Sequence, residues 1–182
     1  MLALLALCDR IARRLTDLAP DAVGTLARFA FAAVLAPYFW ASARTKLGEG
    51  PSGFLSPSDA AYAQIFPNAS EAVGYDASQL GLFYDAVVII GTCAEFLLPF
   101  LITFGLLTRL AALGMTGFLI VQSLTDVFGH GVGGADLGRW FDSMPAALIL
   151  DQRLLWVTLL LGLFFCGAGP FSLDRLLTKW RR

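Results

Sequence analysis

The sequence has few charged residues and few of the side chains that build metal or catalytic sites. Only 15% of its 182 residues are Asp, Glu, Lys or Arg, against about 25% in soluble domains. It has one histidine, and its net charge is −1. It has no basic stripe, no zinc-finger spacing and no glycine-rich phosphate loop, so nucleic acid is not an expected partner.

Cysteine is also scarce. Cys8, Cys93 and Cys166 are far apart, form no CxxC motif and lie in or near apolar runs. This spacing gives no disulfide framework. Because free cysteine behaves as a small hydrophobe, we expect three buried structural thiols.

Apolar residues make up 57% of the chain, and the mean hydropathy is +0.70. This excess is too large for one small core to bury, so we expect lipid to be the solvent. We predict an all-α, four-helix membrane bundle in a single domain, with spans at about residues 26–43, 84–107, 110–126 and 145–168. For the fourth span, Asp142 or Ser143 is the predicted cap, with Pro145 in the first turn.

Residues 1–19 are predicted to form a separate amphipathic helix that lies on the membrane surface and ends at Pro20. Arginines follow the first apolar run rather than precede it, so we do not expect a signal peptide. The apolar stripe of this helix is Leu4, Leu7, Ile11, Leu15 and Leu18, and its charged residues are Asp9, Arg10, Arg13, Arg14 and Asp17.

The distribution of Lys and Arg predicts the orientation. With both termini inside, the inner side holds nine of the 13 basic residues: Arg10, Arg13, Arg14, Arg28, Arg109, Arg175, Lys179, Arg181 and Arg182. The outer side holds Arg44, Lys46, Arg139 and Arg153. Residues 44–83 then form a long outer loop, whose aromatic side chains indicate a cap folded over the bundle. Residues 127–144 form a second outer segment.

Glu95 lies near the middle of the second span. Acids at this depth almost always face the bundle interior, so we expect Glu95 to be uncharged, to donate a hydrogen bond and to share a polar seam with the third span. Thr92, three residues earlier, lies on the same face. Glu95 either joins a proton relay, a quinone contact or a metal site, or it only ties two helices together.

Gln122, Asp126 and His130 stand at i, i+4 and i+8. If the third helix continues to Gly129, they form one polar stripe. His130 and Asp126 are weak metal-ligand candidates, because no second His or Cys accompanies them. A structural or pH-titrating role is the favoured interpretation of His130.

Arg44 and Lys46 are basic residues on the predicted outer side. They either snorkel to lipid headgroups, bind an anionic ligand, or pair with Glu49, Asp85 or Asp126. Asp85 itself is interpreted as the cap of the second span. A quinone pocket would require Glu95, Arg44 or Lys46, and Trp40 or Tyr38 to converge.

Two motifs resemble the DoxX family of small bacterial inner-membrane proteins with four transmembrane helices. The first is GLxTR at Gly105, Leu106, Thr108 and Arg109, which follows the span that carries Glu95. The second is the tail GxGxxSLD at Gly167, Gly169, Ser172, Leu173 and Asp174. The resemblance covers roughly residues 24–177, and the segments 1–19 and 47–80 depart from the compact family pattern.

The resemblance implies fold and membrane location more than activity. Members are linked to quinone-coupled thiosulfate oxidation, to oxidative-stress membrane complexes and to copper-buffering systems, with no shared catalytic residues. One histidine cannot supply paired haem ligands, so a haem oxidase is excluded.

Three functions are open. The favoured one is a membrane subunit or anchor of a redox- or quinone-linked complex, with membrane or periplasmic protein partners. The alternatives are a small transporter or metal-handling protein, and a structural scaffold that forms a homo-oligomer. We predict no catalytic motif and no intrinsic cofactor, with a quinone or lipid as the expected ligand.

Overall fold

The protein is all-α over residues 2–50 and 52–180, the part of the chain that a computed structural model describes, with side chains from residue 4 onward. Positions 1, 51, 181 and 182 lie outside it, including Arg181 and Arg182 of the orientation argument. The helices are α1 (Leu2–Ala30), α2 (Ala36–Thr45), α3 (Asp59–Ile65), α4 (Pro67–Ala72), α5 (Leu82–Phe104), α6 (Thr108–Leu124), α7 (Gly134–Leu137), α8 (Arg153–Cys166) and α9 (Leu173–Trp180).

Four helical rods in the described chain are long and apolar enough to cross a membrane: Leu4–Thr45, Leu82–Phe104, Thr108–Gly129 and Leu148–Cys166. Three of them contain a π-helical turn, at Phe31–Leu35, Thr125–Gly129 and Leu148–Gln152. The predicted all-α, four-span fold is confirmed.

The rods enclose an apolar centre that each of them helps to fill. Its buried cluster includes Phe31, Phe39, Ile102, Met115 and Leu160. The outside of the bundle is equally apolar, since Leu97 is 55% and Phe165 69% exposed. Apolar surface this extensive is unfavourable in water, so lipid covers it.

The prediction that the N-terminal helix ends at Pro20 is wrong. α1 continues through Pro20, because the turn is exposed and water can satisfy the carbonyl that the missing N–H leaves unpaired. The rod Leu4–Thr45 has 42 residues, which is about 63 Å at 1.5 Å per residue. Its apolar stripe from Leu4 to Leu18 is exposed, and its position on the membrane surface stays a prediction.

The cysteine prediction is wrong at one position. Cys8 is exposed on the first turns of α1, while Cys93 and Cys166 are half-buried, and all three are free thiols. The exposure of Cys8 follows from the extension of α1 beyond the bundle.

The turn between the second and third rods lies two to three residues earlier in the chain than predicted. α5 ends at Phe104 rather than residue 107, because Gly105 takes a left-handed conformation at φ +67°. Leu106 N then donates to Leu101 O at 2.9 Å, as in a Schellman motif. α6 begins at Thr108, two residues before the predicted start.

The fourth rod begins at Leu148 rather than at residue 145. Pro145 precedes the helix, and Asp142 accepts from the amide of Met144 within the loop at 2.8 Å. The carboxylate of Asp151, in the first turn, accepts from the amide of the cap residue Ala147 at 3.0 Å.

The predicted outer loop is a folded cap. It contains α3 and α4, and Ala61 and Tyr62 of α3 are buried against Val88 of α5. We call this end of the bundle the cap end; it contains residues 46–50, 52–81 and 126–153. The opposite end is the tail end; it contains Arg28 and residues 105–109 and 166–180.

Candidate functional site

Two buried charges meet where α2 ends against α5. Lys46 Nζ lies 2.8 Å from Glu95 Oε2 and 3.0 Å from Oε1, and the two side chains are 7% and 3% exposed. Ser42 Oγ accepts from Lys46 Nζ at 2.8 Å and donates to Glu95 Oε1 at 3.3 Å. Both carboxylate oxygens therefore have a donor. The ammonium also lies at the C-terminal end of α2, where the helix dipole favours a cation.

This geometry corrects the prediction for Glu95. The side chain is buried as expected, but it faces the first rod rather than the third, and it accepts hydrogen bonds rather than donating one. α2 ends beside it, so the terminal lysine can reach it. Thr92 takes no part, because its hydroxyl donates to Val88 O at 2.8 Å. Lys46 therefore pairs with none of the acids proposed for it, which were Glu49, Asp85 and Asp126.

A second ion pair, which is partly buried, links the third and fourth rods at the cap end. Arg153 pairs with Asp126 and donates to Ser123 Oγ at 2.8 Å. The π-helical turns Thr125–Gly129 and Leu148–Gln152 lie on either side of it. Sequence reasoning missed this partner. The sequence did offer one signal: Arg153 precedes an apolar stretch on the predicted outer side, which has few basic residues, and such an arginine needs an acidic partner.

The polar stripe predicted on the third rod does not form. Gln122 Nε2 donates to Tyr38 Oη at 3.4 Å, and Asp126 pairs with Arg153. His130 Nε2 lies 3.0 Å from the carbonyl of Gln64 in α3. The π-helical turn adds a residue and breaks the i, i+4 register, so the three residues face three different elements.

The weak metal candidates are not brought together. Asp126 is occupied by Arg153, and His130 is exposed at the junction with α3. Among the described residues, no group of three His, Cys, Asp or Glu side chains could hold a metal ion.

A groove of about 510 Å³ opens on the outside of the bundle between α2 and α5. Trp40 Nε1 donates to Phe96 O at 3.2 Å, and the Phe54 ring from the cap stands 5.0 Å from the Phe96 ring. Arg44 is the one charged lining residue and makes no salt bridge with a described residue. This lateral groove is lined by Trp40, Arg44, Phe54, Cys93, Phe96, Leu97 and Phe100.

The lateral groove collects two of the predicted ligand-path residues. Trp40 and Arg44 lie one helical turn apart on α2, and both line it. Tyr38 instead packs against Trp156, with ring centroids 5.4 Å apart. Glu95 and Lys46 do not line the groove either, so the predicted convergence is only partial.

Asp85 does not cap α5, because the cap residue is Gly81 and no side chain bonds there. The Asp85 carboxylate accepts from Tyr62 Oη at 2.8 Å. Burial, followed by this hydrogen bond and the carboxylate charge, raises the pKa of Tyr62 to about 12. The pair fastens α3 to α5.

At the tail end, Asp174 caps α6 from a distant part of the chain. Its two carboxylate oxygens accept from Leu107 N at 2.7 Å and from Thr108 N at 2.9 Å. Its own amide donates to Gly105 O at 2.8 Å. The two family-like motifs therefore bind each other.

Glycines at the tail end permit close backbone contact. A Cβ on Gly24 would lie 2.3 Å from Gly167 O, and one on Gly169, at φ +75°, would lie 2.2 Å from Thr25 Oγ1. Arg28 donates to Phe171 O in the same region. The tail glycines thus have a packing role in this fold.

Comparison with known families supports the resemblance. The DoxX family model matches residues 25–131. The chain belongs to the DoxX family. The match covers the second half of the first rod and all of the second and third rods. It ends before α8, so the GxGxxSLD tail of this DoxX protein lies outside it. No curated protein and no solved structure matches the chain significantly.

Proposed function

We propose that this DoxX protein is the membrane subunit or anchor of a larger, redox- or quinone-linked complex in a bacterial inner membrane. The lateral groove is the observation that carries the proposal. A quinone combines a flat ring, two carbonyl acceptors and an apolar tail. Trp40 and Phe96 offer aromatic surfaces for the ring, Arg44 offers a donor for a carbonyl, and Leu97 and Phe100 form an apolar path for the tail.

The proposal includes the orientation and the partner surface. Both termini are cytoplasmic, in line with the positive-inside distribution, and the cap end faces the periplasm. The whole chain acts as one domain, and the cap is the surface that docks a protein partner. Reporter fusions after residue 180 and within residues 68–76 test the orientation, because the two fusions must report opposite sides.

Quinone titration of the full-length protein in nanodiscs tests the groove. We expect decylubiquinone to quench tryptophan fluorescence through Trp40, and Arg44→Gln to weaken binding at least fivefold. Arg139→Gln is the matched control, because Arg139 is an exposed arginine away from the lateral groove. Equal affinity of the wild type and Arg44→Gln, or absence of binding, would contradict the proposal.

Cys93 provides a second readout in the lateral groove. In a Cys8→Ser, Cys166→Ser background it is the one remaining thiol. Bound quinone should slow its reaction with a lipophilic maleimide. An unchanged rate at saturating quinone would place the ligand elsewhere.

The alternative functions gain less support. A transport path along Gln122, Asp126 and His130 is interrupted, because each residue is engaged by a different element. Within the described chain, Gly117 makes no close helix contact, because nothing lies within 4 Å of the position that a Cβ would take. A homo-oligomeric scaffold remains testable by cross-linking in native membranes.

A further inference from the structure

A second cavity, of about 480 Å³, lies at the tail end among α1, the start of α6, the end of α8 and α9. We call it the tail cradle. It is more polar than the lateral groove, and the two share no lining residue. Its polar wall includes Asp21, Thr108, Arg109, Ser172, Asp174 and Arg175.

The two arginines of the tail cradle are only weakly engaged by its two acids, Asp21 and Asp174. Arg109 makes no salt bridge with a described residue, and its Nη2 has only Phe165 O, at 3.3 Å. Arg175 stands 4.0 Å from Asp21, and both side chains are about half exposed, so this pair is weak. Asp174 is already held by two backbone amides. The Arg109 guanidinium is therefore available to an anion, and that of Arg175 has only its weak contact with Asp21 to give up.

A buried hydroxyl on the same wall has no partner. Thr108 is 1% exposed, and its Oγ1 makes no hydrogen bond. Buried polar atoms in native proteins are nearly always paired, so an unpaired hydroxyl beside Arg109 is a second sign of an absent acceptor.

The surroundings place the tail cradle at the level of lipid headgroups. α9 borders it and exposes Leu176, Leu177 and Trp180 next to the charged residues Arg175 and Lys179. This composition is typical of a helix that lies in the membrane interface, with apolar side chains toward the acyl chains.

We infer that the tail cradle binds the phosphate of an anionic phospholipid. The guanidinium groups of Arg109 and Arg175 contact the phosphate oxygens, and the Thr108 hydroxyl donates to the same group or to the glycerol. The acyl chains leave along Leu110 and Leu177, which line the same cavity. This inference does not depend on the quinone proposal, because it concerns the opposite end of the bundle.

Native mass spectrometry of the detergent-purified full chain tests the inference. The protein is exchanged into equimolar phosphatidylglycerol and phosphatidylcholine. We expect the wild type to retain phosphatidylglycerol at least fivefold over phosphatidylcholine, and Arg109→Gln combined with Arg175→Gln to abolish the preference. Arg139→Gln, at the cap end, should keep it.

Three outcomes would overturn the inference: no lipid preference in the wild type, an unchanged preference in the double variant, or an equal loss in Arg139→Gln. If the double variant fails to fold, the two single variants carry the test, and each should lose at least half of the preference. A comparison of inorganic phosphate with phosphatidylglycerol tells whether the site binds a free anion or a lipid headgroup. If it raises Tm as much as phosphatidylglycerol does, the site binds a free anion, and the lipid assignment is wrong.

Discussion

Lys46 Nζ and Glu95 Oε2 lie 2.8 Å apart. The first rod ends here, beside the middle of α5. Beyond this point α3 takes the place of α2 beside α5, with Ile65 of α3 near Gly91. A helix end inside a bundle leaves unpaired carbonyls, and an acid inside a membrane needs a partner. Lys46 serves both, because its Nζ donates to Ser42 O in the last turn of α2 at 3.5 Å as well as to Glu95.

Removing either charge of this pair should strongly destabilise the protein. Lys46→Met or Glu95→Gln leaves the other group buried without its counter-ion, so we expect a loss of about 3–5 kcal/mol in the free energy of unfolding. Replacing both, as Lys46→Met with Glu95→Leu, should recover most of this loss. Unfolding of the four proteins in one detergent measures the coupling.

The exposed pair supplies the control. Asp21→Asn removes a partner of Arg175 at 4.0 Å, with both side chains about half exposed, and should cost less than about 1 kcal/mol. If Lys46→Met and Glu95→Gln cost no more than Asp21→Asn, the buried ion pair does not hold the end of α2.

The Tyr62–Asp85 hydrogen bond predicts a loss of stability at alkaline pH. The pKa of Tyr62 is raised to about 12 in the folded protein, whereas an unfolded tyrosine titrates near pH 10. The folded state therefore holds its proton more tightly. This contribution is complete below about pH 10 and disappears as the pH rises towards about 12.

Melting temperatures between pH 8 and 12 test this prediction. Tyr62→Phe should lower Tm at pH 8 and show a flatter decline above pH 10. Tyr75→Phe is the control, because Tyr75 is 57% exposed, and this variant should keep the wild-type profile. Parallel profiles for wild type and Tyr62→Phe would show that Tyr62 does not cause the alkaline loss.

Gly24 should tolerate no side chain. A Cβ there would lie 2.3 Å from the backbone oxygen of Gly167, so Gly24→Ala must separate α1 from the end of α8, at a cost of about 1–3 kcal/mol. Gly117→Ala is the matched control in another membrane helix. It meets nothing within 4 Å and should be neutral or stabilise by up to about 1 kcal/mol. Equal Tm values for the two variants would contradict the close contact.

Local features of this fold were predictable from the sequence. The length of apolar runs gave the four spans, because a bilayer demands about 20 residues per helix. The burial of Glu95 followed from the cost of a carboxylate in lipid. The end at Pro20 was predicted wrongly, since an exposed turn can leave a carbonyl to water and continue as a helix.

Pairings between rods could not be predicted. Lys46 reaches Glu95 across 49 positions, and Arg153 reaches Asp126 across 27. Helical periodicity tells which residues share a face of one helix, but it does not tell which faces of two helices meet. The π-helical turns add to this difficulty, because each one shifts the faces that follow it. The lateral groove depends on such a pairing, so only Trp40 and Arg44 among its lining residues were predicted as ligand contacts.

The cap that Asp174 provides for α6 should depend on its carboxylate. Asp174→Ala removes the acceptor of Leu107 N and Thr108 N, so we expect a loss of about 1–2 kcal/mol and faster hydrogen exchange of these two amides. Asp174→Asn keeps one side-chain oxygen and should lose less. Asp136→Ala, in the exposed first turn of α7, should change stability by less than about 0.5 kcal/mol. If the exchange of both amides is unchanged in Asp174→Ala, the Asp174 carboxylate does not cap α6, and the two family motifs are joined by the backbone hydrogen bond from Asp174 N to Gly105 O instead.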